Sequence, residues 1–297
     1  MTASRIALVT GANQGIGFAL VEGLAARMGP DDLVLLTGRN AQRVADATSL
    51  AATAPGTTSR VEGRVLDVTD AEAVARLAAE LDERHGGVDI VVSNAAARLT
   101  PDRPQSEQAA EFIDVANGGT HAILRSFGPV LRPRGRLIVV ASSLGTLGHL
   151  DPGLQPLFDG VTLEEVEEAV ESWRTAVHDG TAEEKGWPRW LNVPSKVAQV
   201  AAVRAVAAQR RATDVPEGTL VAAVCPGLVD TLASRPWFDD FSRAQTPAQA
   251  ARAVLDLVLA DQIDPATYGE LVRFGQVLPW HSGTPARYRS SSTPIKA

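Results

Sequence analysis

The amino-acid sequence predicts an α/β fold: a single doubly wound domain in which a parallel sheet of about seven strands is flanked by helices. Short runs rich in Val, Ile and Leu alternate with longer stretches of helical periodicity along the chain. The short runs are apolar at successive positions, which is typical of strands buried on both faces of a parallel sheet. Because crossovers between parallel strands are right-handed, we expect helices to cover both faces.

Each predicted element has its own local signal. Runs of β-branched and other apolar residues place strands at Ile6–Thr10, Leu33–Thr37, Val61–Leu66, Val88–Ser93, Arg136–Ala141, Leu220–Cys225 and Glu270–Phe274. Helical periodicity places helices between them at Ile16–Arg27, Ala41–Ala52, Ala71–His85, Ser106–Leu131, Val193–Arg211 and Ala248–Ala260.

One segment breaks this alternation. A Pro- and Gly-rich insertion over 147–190, with an acidic helical segment at Leu163–Val177, separates the fifth strand from the next long helix. The C-terminal residues are rich in Ser, Arg, Thr and Pro. The sequence thus predicts one domain over 1–284 and a flexible tail over 285–297.

The composition excludes several classes of partner. The chain has 297 residues, 45% of them hydrophobic, and a formal net charge of −7, so nucleic acid and anionic membranes are not expected as partners. Its single cysteine, Cys225, excludes an internal disulfide. No window reaches ~18 apolar residues and no signal peptide precedes the first strand, so we expect a cytoplasmic protein without membrane spans. The five scattered histidines and one cysteine predict no metal site.

A glycine-rich turn follows the first strand, in the sequence Thr10-Gly11-Ala12-Asn13-Gln14-Gly15-Ile16-Gly17. Glycines at this spacing let backbone N–H groups approach a pyrophosphate, and the positive end of the next helix stabilises that anion. An ordinary glycine-rich turn is the alternative, although the strand–turn–helix context favours nucleotide binding. We therefore predict dinucleotide binding by Gly11, Asn13, Gln14, Gly15, Ile16 and Gly17.

The end of the second strand indicates which dinucleotide is bound. NAD-specific sites place a carboxylate there for the ribose 2′-hydroxyl. Here the sequence reads Thr37-Gly38-Arg39, and Asp31 and Asp32 precede the strand instead. Because a guanidinium suits a 2′-phosphate, we predict NADP(H) as cofactor and assign Arg39 to that phosphate. A solvated surface arginine is the alternative.

The spacing Gly-x-x-x-Gly-x-Gly resembles that of the short-chain dehydrogenase/reductase family, which has a Rossmann fold. Further motifs extend the resemblance over nearly the whole chain: Asp67-Val68, Ser93-Asn94-Ala95-Ala96, Ser142-Ser143, Lys196, Cys225-Pro226-Gly227-Leu228-Val229-Asp230-Thr231 and Gly269-Glu270-Leu271-Val272. The resemblance implies that cofactor contacts also come from Asp67, Val68, Asn94, Ala95, Lys196, Pro226, Gly227 and Val229.

The same resemblance implies a reaction. In that family a hydride from the nicotinamide reduces a carbonyl group, a tyrosine donates the proton, a lysine four residues later lowers the pKa of the tyrosine, and a serine hydrogen-bonds the carbonyl oxygen. Lys196 matches the lysine and Ser143 the serine, with Ser142 as the alternative, but Asn192 stands at the tyrosine position. An amide cannot act as a general acid near neutral pH. The predicted catalytic residues are Ser143, Lys196 and Asn192, with an atypical proton donor.

Other assignments at this site also have alternatives. Asn192 could simply cap its helix. The resemblance also implies an asparagine that supports a proton relay. Its position corresponds to Ala116, whereas Asn117 comes one residue later and would point about 100° away on an α-helix. His149, or Lys196 acting through water, could supply the proton.

The insertion and the run Lys185-Gly186-Trp187-Pro188 resemble the monomeric carbonyl reductases of that family, in which the extra segment covers a surface that other members use to form tetramers. The resemblance therefore implies a monomer. Four aromatic side chains could line a pocket for a bulky apolar substrate, or could belong to the core: Trp187, Trp190, Trp237 and Phe238.

Three hypotheses of function follow from these residues. The leading hypothesis is an NADP(H)-dependent oxidoreductase that acts on a carbonyl or related group of a small but bulky molecule, such as a secondary metabolite. Because the tyrosine is missing, the alternative is a redox-neutral enzyme (a cyclase, isomerase or dehydratase) or a non-catalytic nucleotide-binding regulator.

Overall fold

Eight strands form one sheet in the computed structural model of the chain, which describes residues 4–282. They are β1 (Ile6–Val9), β2 (Leu33–Gly38), β3 (Arg60–Val65), β4 (Val88–Ser93), β5 (Leu131–Val140), β6 (Leu220–Val224), β7 (Leu271–Arg273) and β8 (Gln276–Leu278). The strand order is β3-β2-β1-β4-β5-β6-β7-β8, and only the β7–β8 pair is antiparallel. Strands are added on both sides of β1, which is the doubly wound topology that the sequence predicts. The tail predicted over 285–297 lies outside the described residues.

Eight α-helices connect the strands within residues 4–282. They are α1 (Gly15–Arg27), α2 (Ala41–Ala52), α3 (Ala71–His85), α4 (Gln105–Ile113), α5 (Gly119–Phe127), α6 (Leu163–His178), α7 (Asn192–Glu217) and α8 (Pro247–Val258). Helix α1 contacts α2 and α8, whereas α5 contacts α3 and α7. None of the helices in this part of the chain is both long and apolar enough to cross a membrane.

The central strands have no exposed face. Every residue of β1 and of β6 is buried, which explains why their sequences are apolar throughout rather than alternating. Outer strand β3 is different, because all six of its residues are at least partly exposed. Every residue of β2 is buried as well, so β1, β2 and β6 are the fully protected strands. The carboxyl ends of β1, β4, β5 and β6 support the site described below.

The sheet has one strand more than expected. The chain reverses at Phe274 and Gly275, which both adopt positive φ angles, of 49° and 77°. Two residues in this conformation between paired strands form the mirror-image turn that suits the twist of a hairpin. As a result, β8 returns alongside β7 with Arg273 opposite Gln276.

The helix predicted over Ser106–Leu131 is interrupted and ends early. A single π-helical turn, Asp114–Gly118, separates α4 from α5, and β5 begins at Leu131 rather than at Arg136. A π turn holds one residue more than an α turn and so changes the direction of the side chains after it. This turn lies beside the candidate active site.

The insertion folds as predicted around a helix. Helix α6 begins with a capping box, in which Thr162 and Glu165 bond to each other's backbone N–H groups. Its buried face carries Trp173, whose ring packs 6.1 Å from the ring of Trp187. Helix α6 in turn packs on α4 and α7. Trp187 therefore belongs to the core of the insertion, which is the second of the two alternatives that the sequence leaves open for it.

The contact between α5 and α6 predicts a loss of stability in acid. Burial, and secondarily the charge of Arg125, lower the pKa of His121 to about 4 from an ordinary 6.5. Glu167 lies 3.8 Å from His121 but is paired with Arg125, so it does not compensate. Because the folded-state pKa is the lower one, the unfolded chain binds more protons between these values, and stability falls as the pH falls. Between pH 7 and pH 5 we expect a loss of about 2 kcal/mol from this group.

Urea unfolding at both pH values measures this loss. The His121→Gln variant should lose less stability between pH 7 and pH 5 than the parent protein. The control is His178→Gln, which removes an exposed histidine from α6. An equal pH dependence in His121→Gln and His178→Gln would contradict the assignment.

Candidate active site

A cavity of about 550 Å³ opens where β4, β5 and β6 end. Its wall includes all three predicted catalytic residues, Ser143, Asn192 and Lys196. They come from the segment after β5 and from the first turns of α7. The carboxyl ends of parallel strands thus bring together residues that lie far apart in sequence, as is usual for α/β sheets.

The glycine turn after β1 has the geometry of a phosphate cradle. Gly11 and Gly15 both have φ of 60°, which favours glycine. A Cβ atom on Gly11 would lie 2.6 Å from the Cα atom of Ala95, whereas one on Gly15 would meet only a methyl group at 3.9 Å. Helix α1 begins at Gly15, and the side chain of Gln14 does not cap it. Backbone N–H groups at this helix end are therefore free for an anion, so the residues present fit a dinucleotide.

Asn94 and Ala95 hold this turn in place. The Asn94 side-chain amide donates to the carbonyl oxygens of Thr10 at 2.9 Å and Gly11 at 3.2 Å. The Thr10 hydroxyl oxygen accepts from the backbone N–H groups of both Asn94 and Ala95. Gly17 is enclosed by the same contacts, since a Cβ atom there would lie 2.5 Å from the Asn94 amide nitrogen. The end of β4 thus fixes the shape of the predicted nucleotide turn.

Arg39 follows β2 at the same edge of the sheet. Its guanidinium forms an ion pair of 3.0 Å with Glu111 of α4, and both side chains are well exposed. Asp67, after β3, accepts from the backbone N–H and the hydroxyl of Thr69. The neighbouring Val68 is buried. Arg39 and Asp67 thus lie beyond the carboxyl ends of the adjacent strands β2 and β3.

The segment after β6 closes the cavity on another side. Gly227 has φ of 83°, and the side chain of Gln245 donates to the carbonyl oxygen of Pro226 at 2.7 Å. Val229 pairs with Gln245 in a short parallel bridge. Gly227 and Val229 line the cavity, so this predicted cofactor segment meets the same space as the catalytic residues.

The two candidate serines differ in their contacts. The Ser142 hydroxyl accepts a hydrogen bond of 3.3 Å from the Leu144 backbone N–H, and so caps the short 3₁₀ turn Ser143–Gly145. The Ser143 hydroxyl has no hydrogen-bond partner within residues 4–282 and lines the cavity. Ser142 lines the cavity too, so the contacts favour Ser143 only in that its hydroxyl has no partner among the described residues.

Asn192 is the first residue of α7, and it is not the cap. The capping position is Leu191, whose own side chain makes no cap; its backbone N–H donates to the Gln105 side-chain oxygen at 2.8 Å. The Asn192 side chain lines the cavity without a hydrogen-bond partner among the described residues. The capping explanation is thus wrong, and the amide remains available to a molecule in the cavity.

Lys196 lies one helical turn after Asn192. Its ammonium donates to the Gln199 side-chain oxygen at 2.7 Å and to the Val140 carbonyl oxygen at 3.3 Å. Burial lowers the pKa of Lys196 to about 8, while the nearby Cys225 acts in the opposite direction. The ammonium is therefore close to the range in which a general acid exchanges protons efficiently near neutral pH.

The asparagine beside this lysine does not reach the cavity. Asn117 lies in the π-helical turn, is fully buried, and donates to the Ser195 carbonyl oxygen at 3.0 Å. Ala116, one residue earlier, lines the cavity instead. The prediction that Asn117 points away from the reacting group is thus confirmed, and its amide joins the π turn to α7.

The positions of His149 and of the candidate aromatic residues relative to the cavity also differ. His149 does not line the cavity, and its ring nitrogen hydrogen-bonds the Thr146 hydroxyl at 2.8 Å. Trp190 and Trp237 do line it, with ring centroids 6.3 Å apart, as does Phe238. The indole of Trp237 is fixed by donation to the Leu99 carbonyl oxygen at 3.0 Å. The cavity therefore has an aromatic wall and no histidine.

Sequence reasoning missed several residues of this site. Arg98 and Arg273 line the cavity, and Gln199 binds Lys196. Gln199 lies on the same face of α7 as Lys196, at a spacing of three residues, which is a usable signal. Within residues 4–282, no group of three or more His, Cys, Asp or Glu side chains is placed to hold a metal ion.

The chain belongs to the short-chain dehydrogenase family. The family model described as short chain dehydrogenase matches residues 5–150. Carbonyl reductase (NADPH) 3 of Mus musculus is 31% identical over 287 residues, which cover 93% of this chain and 99% of the relative. Carbonyl reductase (NADPH) 1 of Sus scrofa is 29% identical over 284 residues, covering 93% of this chain and 94% of the relative. The resemblance to this family that the motifs predict is thus confirmed.

Solved structures agree on the fold. Salutaridine reductase from Papaver somniferum superposes with a TM-score of 0.74 at 23% identity, covering 90% of this chain and 99% of that chain. Menthone neomenthol reductase from Mentha piperita gives 0.72 at 24% identity, covering 93% of this chain and 100% of that chain. These likenesses confirm the predicted α/β fold with its mostly parallel sheet.

Proposed function

We propose that the chain is an NADP(H)-dependent oxidoreductase that reduces a carbonyl or related group of a small, bulky molecule, with Lys196 as proton donor. The observation that carries this proposal is that Lys196 and Ser143 line one cavity, whose wall also includes Ile16 of the glycine turn. The names of the mammalian relatives, which are NADPH carbonyl reductases, support the choice of reaction and cofactor. Arg39, at the end of β2, supports a 2′-phosphate.

The residues of the cavity supply hydrogen bonds to the carbonyl oxygen and the proton that the reduction requires. When bound, the nucleotide supplies a hydride. The Ser143 hydroxyl and the Asn192 amide donate hydrogen bonds to the carbonyl oxygen, which stabilises the negative charge that develops there. The Lys196 ammonium transfers a proton to that oxygen through a water molecule, becomes a neutral amine, and regains a proton from solvent. The product is an alcohol.

The cavity wall supports a class of substrate. Trp190, Trp237 and Phe238 offer aromatic surface. Arg98, Lys196 and Arg273 also line the cavity, and within residues 4–282 no Asp or Glu does. Because an amine would meet only like charges there, neutral or anionic aromatic carbonyl compounds suit the cavity better than cationic ones.

The Lys196→Met variant tests the proposed proton donor. We expect its kcat to fall by about 100-fold or more with aromatic ketones and aldehydes, because general acid catalysis contributes about 10²- to 10⁴-fold. NADPH oxidation, followed by absorbance, measures turnover, and fluorescence titration separately measures NADPH binding. Lys185→Met, at an exposed position of the insertion, is the matched control.

The outcomes separate the hypotheses. A parent-like kcat in Lys196→Met would rule out Lys196 as the proton donor. Tight NADPH binding by the parent protein without turnover of any carbonyl compound would favour the redox-neutral or regulatory alternative, which the asparagine at position 192 supports.

We also infer that the chain is a monomer. Helix α6 packs over α4 and α7, and its buried face includes Val166, Val170 and Trp173. This helix covers the surface that the resemblance assigns to tetramer formation in other members. The cytoplasmic location stays a prediction from the sequence.

A further inference from the structure

We propose that Gln199 is a positioning residue for Lys196: its side-chain oxygen, held in one orientation by the π-helical turn, fixes the ammonium beside the cavity and keeps it protonated. A role for this contact in catalysis rests on the proposed function, whereas the hydrogen bond between Lys196 and Gln199 does not. Gln199 lies on α7 three residues after Lys196 and is 2% exposed.

The orientation of the Gln199 amide is determined by its other end. The amide nitrogen donates to the Ala116 carbonyl oxygen at 2.7 Å and to the Thr120 hydroxyl oxygen at 3.0 Å. The Thr120 hydroxyl donates its own proton to the same Ala116 carbonyl oxygen at 2.7 Å. Its oxygen can therefore only accept a hydrogen bond from the Gln199 amide nitrogen. Rotating the amide by 180° would place its oxygen against the Ala116 oxygen and its N–H groups against the Lys196 ammonium. Both contacts would be repulsive, so the oxygen faces Lys196.

A second amide strengthens the connection between the π turn and α7. Asn117 donates to the Ser195 carbonyl oxygen, in the opposite direction to the Gln199 bond. The π turn therefore contacts α7 at Ser195, immediately before Lys196, and at Gln199, three residues after it. The Ala116 carbonyl oxygen of this turn accepts from Gln199, and Gln199 in turn accepts from Lys196, so the turn acts on the lysine through the glutamine.

Few other charges act on Lys196. Cys225, at the end of β6, is the titratable side chain that affects it directly. On the packed elements, Asp114 of the π turn pairs with Arg174 of α6, and His121 of α5 lies beside Glu167. Arg98 and Arg273 also line the cavity. The Gln199 oxygen, which is fixed against the ammonium, therefore opposes the effect of burial.

Lysine NMR tests the inference without cofactor or substrate. The sequence has only three lysines, Lys185, Lys196 and Lys296, so protein labelled with ¹³Cε-lysine gives three signals, and Lys196→Arg assigns one of them. In Gln199→Met, which keeps the length of the side chain but removes the acceptor, the Lys196 titration midpoint should fall by about one pH unit or more. In Gln199→Glu, which restores an acceptor and adds a negative charge, the midpoint should lie above that of the parent protein.

Gln108→Met is the matched control, because Gln108 is also a buried glutamine but bonds to Thr100 and Arg103. It should leave the Lys196 midpoint unchanged. An unchanged midpoint in folded Gln199→Met would overturn the inference. If Gln199→Met does not fold, Gln199→Glu decides: an upward shift supports the inference and an unshifted midpoint overturns it.

The same experiment is independent of the proposed function. Where the midpoints move as expected but the parent protein reduces no carbonyl compound, the positioning role stands and the reductase assignment fails. Where carbonyl reduction is observed and Lys196 does not respond to Gln199, the reverse holds. Where both succeed, the pH at which kcat falls should move with the NMR midpoint across Gln199→Met and Gln199→Glu.

Discussion

Asn192→Tyr is expected to raise the rate of NADPH-dependent carbonyl reduction by about 100-fold or more. The change places a phenol one helical turn before Lys196, on the wall of a cavity of about 550 Å³. The Asn192 side chain has no partner among the described residues to lose. A tyrosine hydroxyl beside an ammonium can act as a general acid, which an amide cannot, and such catalysis contributes about 10²- to 10⁴-fold.

Asn192→Phe is the matched control, because it introduces the same ring without the hydroxyl. It should give no gain, and comparing kcat of the two variants over one panel of aromatic carbonyl compounds isolates the contribution of the phenol. Equal rates for Asn192→Tyr and Asn192→Phe would show that this position does not face the reacting oxygen. Turnover by the tyrosine variant alone, with none in the parent protein, would mean that the natural chain is not a carbonyl reductase.

The sequence was sufficient for most of the sheet and for the glycine turn, because their signals are local. Strands such as β1 and β6 are buried on both faces, so their composition alone marks them. The hairpin strand β8 was missed because it has only three residues, and its turn is formed by Phe274 and Gly275. Positive φ at a phenylalanine is uncommon, so the pair gives a weak turn signal.

The contacts around Lys196 could not be predicted in the same way. Gln199 and Ala116 are 83 residues apart in sequence, and Ala116 lies in a π turn within a stretch that the sequence predicts as one continuous helix. No residue type marks that turn. The role of Asn192 likewise depends on the residue at which α7 begins, which sequence patterns locate to within a few residues at best. The roles of Gln199 and Asn192, which depend on the π turn and on the first turn of α7, are therefore visible only in the structure.

Arg39→Asp is expected to raise the dissociation constant for NADPH by about 10- to 100-fold. A hydrogen bond between charged groups contributes about 1.5 to 3 kcal/mol, and each 1.4 kcal/mol is a tenfold change in affinity. The new carboxylate would repel the 2′-phosphate but could accept from the 2′-hydroxyl of NADH. The preference for NADPH over NADH, measured by fluorescence titration of both, should therefore fall by more than the NADPH affinity alone.

The ion pair between Arg39 and Glu111 sharpens this test. The Glu111 carboxylate lies 3.0 Å from the Arg39 guanidinium and competes with a 2′-phosphate for it. Glu111→Gln should therefore leave the affinity for NADPH unchanged or increase it. Arg60→Asp is the control, because Arg60 is equally exposed and ion-paired but lies at the start of β3. Equal loss of NADPH and NADH binding in Arg39→Asp would indicate general damage to the site. Unchanged NADPH binding would show that Arg39 is only a surface residue, because a cation that contacts the phosphate cannot be replaced by an anion without cost.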